Sequence, residues 1–227
     1  MSMNNLPQPV AVLFDWDDTI VNNWDTALTS LNTALTHMGM EAWSPEEARR
    51  RSGPTARALF GELFGDRWQE ADKVYYETFL SLVFKNMKMF DGAQDTFKAL
   101  ADNGVAMGIV SNMRGALLKQ GVDHMGLTHY FGVIFGAGDA SADKPDPAPI
   151  LEALQKLDIP PGPNVWYVGD SHTDMIAAAK AGCSGLLIET RVPPEDLLKD
   201  YPPTARAKDH NAIMECLRMY FVEKGNC

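Results

Sequence analysis

The sequence lacks the features that define several large classes of protein. Only three cysteines, Cys183, Cys216 and Cys227, occur in 227 residues. Their number is odd and none sits in a C-x-x-C pair, so a reducing compartment is expected, with neither a disulfide framework nor a zinc site. No apolar run reaches membrane-spanning length, and the polar stretch from Met1 to Gln8 lacks the basic-then-apolar order of a secretory signal. Positive charge is scarce: 20 Lys and Arg against 30 Asp and Glu leave a net charge of -10. This excludes a nucleic acid or an anionic membrane held by a broad basic surface. It leaves room for a small anionic substrate, because a bound metal and a few lysines can reverse the sign locally. No G-x-G-x-x-G or G-x-x-x-x-G-K-[ST] phosphate loop is present, nor any internal repeat. What remains is a cytoplasmic globular protein, 45% apolar and long enough to bury a sizeable core.

Against that background, the stretch Val10 to Ile20 stands out. Val10 to Phe14 is a continuous apolar run, the pattern of a strand buried on both faces, and it delivers Asp15, Asp17, Asp18 and Thr19 at its carboxyl end. In open α/β sheets, ligands bind outside the carboxyl ends of strands, and the period of two sends Asp15 and Asp17 to the same side. Two carboxylates so placed repel each other unless a cation lies between them or one keeps its proton. A divalent cation with oxygen ligands suits the cluster.

The pattern then changes to a helical period. Trp24, Leu28, Leu31, Leu35 and Met38 share a face that stops at Gly39. Ser44-Pro45-Glu46-Glu47 opens a short helix with an N-cap, a first-turn proline and a capping-box glutamate. Leu59, Phe60, Leu63 and Phe64 mark a third stripe, and Ala71, Tyr75, Phe79 and Leu82 a longer fourth over about 66–87. Residues 21–90 therefore read as an all-helical insertion without a strand. From residue 91 strands and helices alternate. Strands are predicted at 105–110, 132–135, 165–168 and 186–188, with a short one near Ala205, and a last helix from about Asn211. Such alternation predicts a Rossmann-like parallel sheet covered on both faces, formed by 1–20 and 91–227, with 21–90 as a helical cap.

Every conspicuous polar residue falls at the carboxyl end of one of these strands or in the following loop. Asp15 and Asp17 follow the first, Ser111 and Asn112 the second, Lys144 the third, Asp170 and Asp174 the fourth. Taken in order, Asp15-Trp-Asp17-Asp-Thr19, Ser111, Lys144-Pro145-Asp146-Pro147 and Gly169-Asp170-Ser-His-Thr-Asp174 resemble the four motifs of the haloacid dehalogenase superfamily. The resemblance spans nearly the whole chain, which is similar to phosphoglycolate phosphatases with a helical cap. It implies a phosphatase of small phosphomonoesters that works through an aspartyl-phosphate. In that scheme Asp15 is the nucleophile and Asp17 the acid and base. Mg2+ is held by Asp15, the Asp17 carbonyl and Asp170, with Asp174 nearby. Ser111 and Lys144 grip the phosphoryl oxygens, with Thr19 and Asn112 beside them at the substrate.

Three features are specific to this chain. Asp18 stands where many relatives have glycine. His172 has no fixed role in the motif and reads as a solvated or locally bonded histidine. In the cap, Arg49, Arg51, Gly53 and Arg57 are candidates for contacting the leaving group, because arginine forks match carboxylates and phosphates. A phosphomutase would use the same core, and a non-enzymatic phospho-receiver module is the alternative of a different class.

Overall fold

The structure, a computed structural model, describes residues 3, 6–51 and 54–221. The chain opens with β1 (Ala11–Phe14) and β2 (Val21–Asn22), then runs through four helices, α1 (Trp24–His37), α2 (Pro45–Arg51), α3 (Ala56–Phe64) and α4 (Trp68–Asn86). It continues through β3 (Lys88–Met89), α5 (Ala93–Asp102), β4 (Ala106–Arg114), α6 (Gly115–His124), β5 (Val133–Ala137) and α7 (Ala148–Lys156). The last elements are β6 (Val165–Gly169), α8 (His172–Lys180), β7 (Ser184–Ile188), β8 (Ala205–Ala207) and α9 (His210–Tyr220).

Six of the strands form one sheet in the order β5-β4-β1-β6-β7-β8, with every neighbouring pair parallel. β1 is an interior strand: Ala11 lies opposite Ala106 on one side and Val165 on the other. All four of its residues are buried, as a strand covered on both faces requires. Val10, at the head of the same apolar run, is 45% exposed and lies outside the strand.

The period of two sorts the core into two layers. Val12 and Phe14, with Ile109 and Val168, pack against α5, α6 and α9 through Phe97, Leu118 and Leu217. Ala11, Leu13, Val165 and Tyr167 face the other way, onto Ile150 and Leu154 of α7 and Ala177 and Ala178 of α8. Phe14 meets Phe97 edge to face at 5.2 Å. Each fully buried side chain of this size contributes roughly 1.5–3 kcal/mol.

Helices α1 to α4 hold separate small cores, one of Ala34, Phe60 and Ala71 and another of Leu35, Trp43 and Ala48. On α4 the buried stripe runs Ala71, Phe79, Val83, so Val83 takes the inward place expected of Leu82. Phe79, Val83 and Met87 join the main core beside Trp16 and Ile20, seating the base of α4 on the sheet domain. The expectation that 21–90 contains no strand is corrected at its two ends. Val21–Asn22 and Lys88–Met89 pair antiparallel as a two-residue ribbon where the chain leaves and rejoins the sheet. A two-residue strand is too short to show a period in sequence. β4 also runs on past Val110, with a register shift before Arg114, so Ser111 and Asn112 lie within its irregular end.

Candidate active site

The carboxyl ends of β1, β4 and β6 surround a cavity of about 170 Å³ beneath the helical segment. Asp15, Asp17, Ser111, Asn112, Lys144 and Asp170 all line it. Trp16, between the two aspartates, is fully buried in the core, as the strand period requires.

Lys144 is the centre of the hydrogen-bond network. Its Nζ donates to Asp15 Oδ1 at 2.8 Å, Asp174 Oδ1 at 2.6 Å and the Tyr167 hydroxyl at 2.8 Å. Tyr167 in turn donates to the Val110 carbonyl at 2.7 Å. The Lys144 backbone is clamped by Asn112, which donates through Nδ2 to the Lys144 carbonyl and accepts from its N–H. Asn112 thus grips the lysine loop in addition to lining the cavity. Burial pulls the Lys144 pKa down, but Asp15 and Asp174 outweigh it and the group is held above its ordinary value.

Asp174 completes a helix cap that Ser171 begins. The Ser171 Oγ accepts from the Asp174 N–H, and Asp174 Oδ2 accepts from the Ser171 N–H at 3.0 Å, a capping box on α8. Ser171 also donates through Oγ to the same oxygen at 2.5 Å. With Oδ1 taken by Lys144, both oxygens of Asp174 accept bonds from the protein, which suits it to orienting Lys144. Gly169 is the residue that makes room for this: a Cβ there would lie 2.5 Å from Asp174 Oδ2.

The donor set fits a hard divalent cation. Asp15, Asp170 and Asp174 are all buried and offer carboxylate oxygens within 4.8 Å of one another, with no softer ligand among them. Without a cation, burial leaves Asp15 and Asp170 reluctant to ionise. Loss of water, only partly countered by Lys144, pushes Asp15 up to about 7, and loss of water countered by Arg191 does the same for Asp170. Asp17 rises to about 8, chiefly by burial; a bond from Asn23 Nδ2 at 2.8 Å opposes this, and Asp15 adds to it. That value leaves Asp17 able to carry a proton near neutrality.

Asp18 adopts the left-handed region with φ 57. Aspartate tolerates this conformation better than most residues. Its carboxylate accepts backbone N–H bonds from Asn23 and Trp24 at the start of α1, and its carbonyl accepts from the Thr190 hydroxyl. Arg191 Nε lies 3.2 Å from Asp18 Oδ2, while Arg191 Nη2 reaches Asp170 Oδ2 at 2.7 Å. The guanidinium also sits over the Trp24 ring at 4.3 Å. The extra negative charge is therefore matched by a partly buried arginine.

Several expected site residues are placed elsewhere. Thr19 is fully buried and does not line the cavity; its carbonyl meets His210 Nε2 at 2.9 Å. Arg57 lies over the Trp68 ring at 5.2 Å, and Arg51 over Trp43 at 4.7 Å beside Glu47. Both use their guanidinium groups on the helical segment itself. Arg49 lies 5.7 Å over Trp24 and borders a small recess with Asp170 and His172. Gly53 lies outside the described residues. His172 is half-buried in the first turn of α8, and loss of water lowers its pKa.

The structure adds residues that the motifs do not name: Asn23, Tyr167 and Arg191, with Trp24, Tyr75, Tyr76 and Phe79 on the helical side of the cavity. Arg191 follows β7 and obeys the same strand-end rule as the motif residues. Asn23 stands at the N-cap of α1, yet its amide serves Asp17 and makes no cap bond.

A family model described as haloacid dehalogenase-like hydrolase matches residues 12–188. A phosphoglycolate phosphatase of Aquifex aeolicus is 29% identical over 175 residues, covering 75% of this chain and 80% of its own. A pyrophosphatase PpaX of Bacillus pumilus is 29% identical over 207 residues, covering 89% and 94%. Among solved structures, a HAD-superfamily hydrolase from Ehrlichia chaffeensis is 29% identical, with a TM-score of 0.65 over 95% of this chain and 98% of that one.

Proposed function

The chain belongs to the haloacid dehalogenase-like hydrolase family, and from that membership we propose that it is a Mg2+-dependent phosphatase of small phosphomonoesters acting through an aspartyl-phosphate on Asp15. The observation that carries the reading is the arrangement in one cavity of Asp15, a lysine bonded to it at 2.8 Å, and an aspartic acid whose pKa lies near 8.

Asp15 attacks phosphorus through a carboxylate oxygen as the bond to the leaving oxygen breaks, and Asp17 gives its proton to that oxygen. Asp17, now ionised, takes a proton from the incoming water. The water oxygen bonds to phosphorus, the Asp15–phosphorus bond breaks, and inorganic phosphate leaves with Asp15 restored. Asn23 fixes the Asp17 carboxyl through its amide. Lys144, positioned by Asn112, Tyr167 and Asp174, offers its charge to the phosphoryl oxygens, and Ser111 stands on the same wall. Asp15, Asp170 and the Asp17 carbonyl would hold Mg2+, which when bound supplies positive charge that keeps Asp15 ionised and offsets repulsion from an anionic ester. A cytoplasmic setting accords with the free, buried Cys183 and Cys216; among the described residues no helix is long and apolar enough to cross a membrane.

The test is phosphate release from a panel of phosphomonoesters and pyrophosphate with Mg2+, run beside Asp15→Asn. The amide is nearly isosteric but a poor nucleophile, so turnover should fall by about a thousandfold or more with an unchanged circular dichroism spectrum. Retained turnover would remove Asp15 from the nucleophile's role.

A further inference from the structure

We propose that the ester cleaved here carries an apolar leaving group, seated in a second chamber that adjoins the phosphate cavity between α1, α2 and α3. This rests on the phosphatase reading and specifies its substrate class. The chamber has a volume of about 130 Å³. Trp24, Ala27, Pro54, Ala56 and Tyr75 border both spaces, so the two adjoin. Its farther walls are Leu28, Leu31, Trp43, Leu59 and Phe60.

No carboxylate is among the described residues around this chamber. The cation among those described residues, Arg51, is stacked on Trp43 at 4.7 Å and lies 3.7 Å from Glu47. An apolar group moving from water to such walls gains in proportion to the area it buries. A carboxylate or second phosphate would lose its water there against apolar walls. The phosphate cavity itself gives a second anionic group little: its two lining cations, Lys144 and Arg191, are already bonded to Asp15 and Asp174 and to Asp18 and Asp170. Volume bounds the guest. An apolar cavity of about 150 Å³ takes up benzene, so this chamber suits a branched or cyclic group of about five or six carbons.

The experiment is phosphate release by the full chain with Mg2+ from unactivated n-alkyl phosphates, ethyl to hexyl, with cyclohexylmethyl phosphate and phosphoglycolate alongside. The bond cleaved is of one kind along the alkyl series, so differences report the chain. Values of kcat/KM should rise about fourfold per methylene until the chamber fills, with phosphoglycolate below the longer esters. Leu28→Trp fills the chamber from a wall not shared with the phosphate cavity, and it should flatten the rise along the series. Alkylphosphonates, which present the same chains with no ester to cleave, should inhibit wild-type protein in the same order, so the answer does not depend on that variant folding. Equal kcat/KM along the series, or a preference for phosphoglycolate, would overturn the apolar guest and leave the phosphatase reading intact. Release from none of the esters would instead overturn the phosphatase reading.

Discussion

Asp18 and Arg191 illustrate how one unusual residue is accommodated by its surroundings. The left-handed backbone at Asp18 is one that glycine would adopt without strain, yet the carboxylate has two uses that glycine would forfeit. It receives the N–H groups at the start of α1, where Asn23 makes no cap bond, and it pairs with Arg191. Arg191→Met would leave Asp18 and Asp170 facing each other without that cation, and should lower stability in metal-free buffer by about 3 kcal/mol. Combining it with Asp18→Gly should restore part of the loss, because the stranded carboxylate is gone. Additive losses in this double-mutant cycle, measured by urea unfolding, would show that the two side chains are not coupled. Asp15, Asp17, Ser111, Lys144 and Asp170 were legible because each is fixed by a strand end and a local motif. Arg191 was not, because its pairing with Asp18 spans more than half the chain, and no local spacing announces it. Thr19 shows the converse, a motif position whose side chain the fold buries.

At the scale of elements, the sheet was readable from apolar runs and alternation, and α1 to α4 from their helical stripes. The β2–β3 ribbon was not, because pairing between residues so far apart leaves no periodic trace. Among the described residues, two ion pairs tie helices α1 to α4 to the elements around the large sheet. Asp72 on α4 accepts from Arg114 at the end of β4, and Arg50 on α2 meets Asp196 at 3.0 Å. The second pair is exposed on both sides and contributes little. The first is more informative: Asp72 is buried, and the Arg114 guanidinium also lies 3.6 Å over Tyr76, a wall of the phosphate cavity. Arg114→Ala should cost about 1–2 kcal/mol, less than a fully buried pair because the arginine is half exposed. Denaturant midpoints would check this. An unchanged midpoint would mean that apolar packing of Phe79, Val83 and Met87 alone seats α4.

For the molecule as a whole, the acidic site couples stability to pH and to cations. Asp15, Asp17 and Asp170 have folded-state pKa values of about 7, 8 and 7, against 3.8 for an ordinary aspartate. Between those limits the metal-free folded chain holds protons that the unfolded chain has released, so stability must fall as pH rises through this window. In EDTA, Tm should therefore drop from about pH 5 to about pH 8, and added Mg2+ should raise Tm more at the upper end, where proton release costs less. A flat Tm with no response to Mg2+ would contradict the account of the acidic cluster. The central claim is that phosphorus is transferred to Asp15, and the most direct measurement is chemical trapping. Protein turning over a cleaved ester is quenched in acid and treated with borohydride, which reduces an acylphosphate to the alcohol and leaves a free carboxylate untouched. Peptide mass spectrometry should find homoserine at position 15, dependent on substrate, with Asp17 and Asp170 unmodified. Reduction at another aspartate, or none during demonstrated turnover, would contradict the assignment of Asp15 as nucleophile.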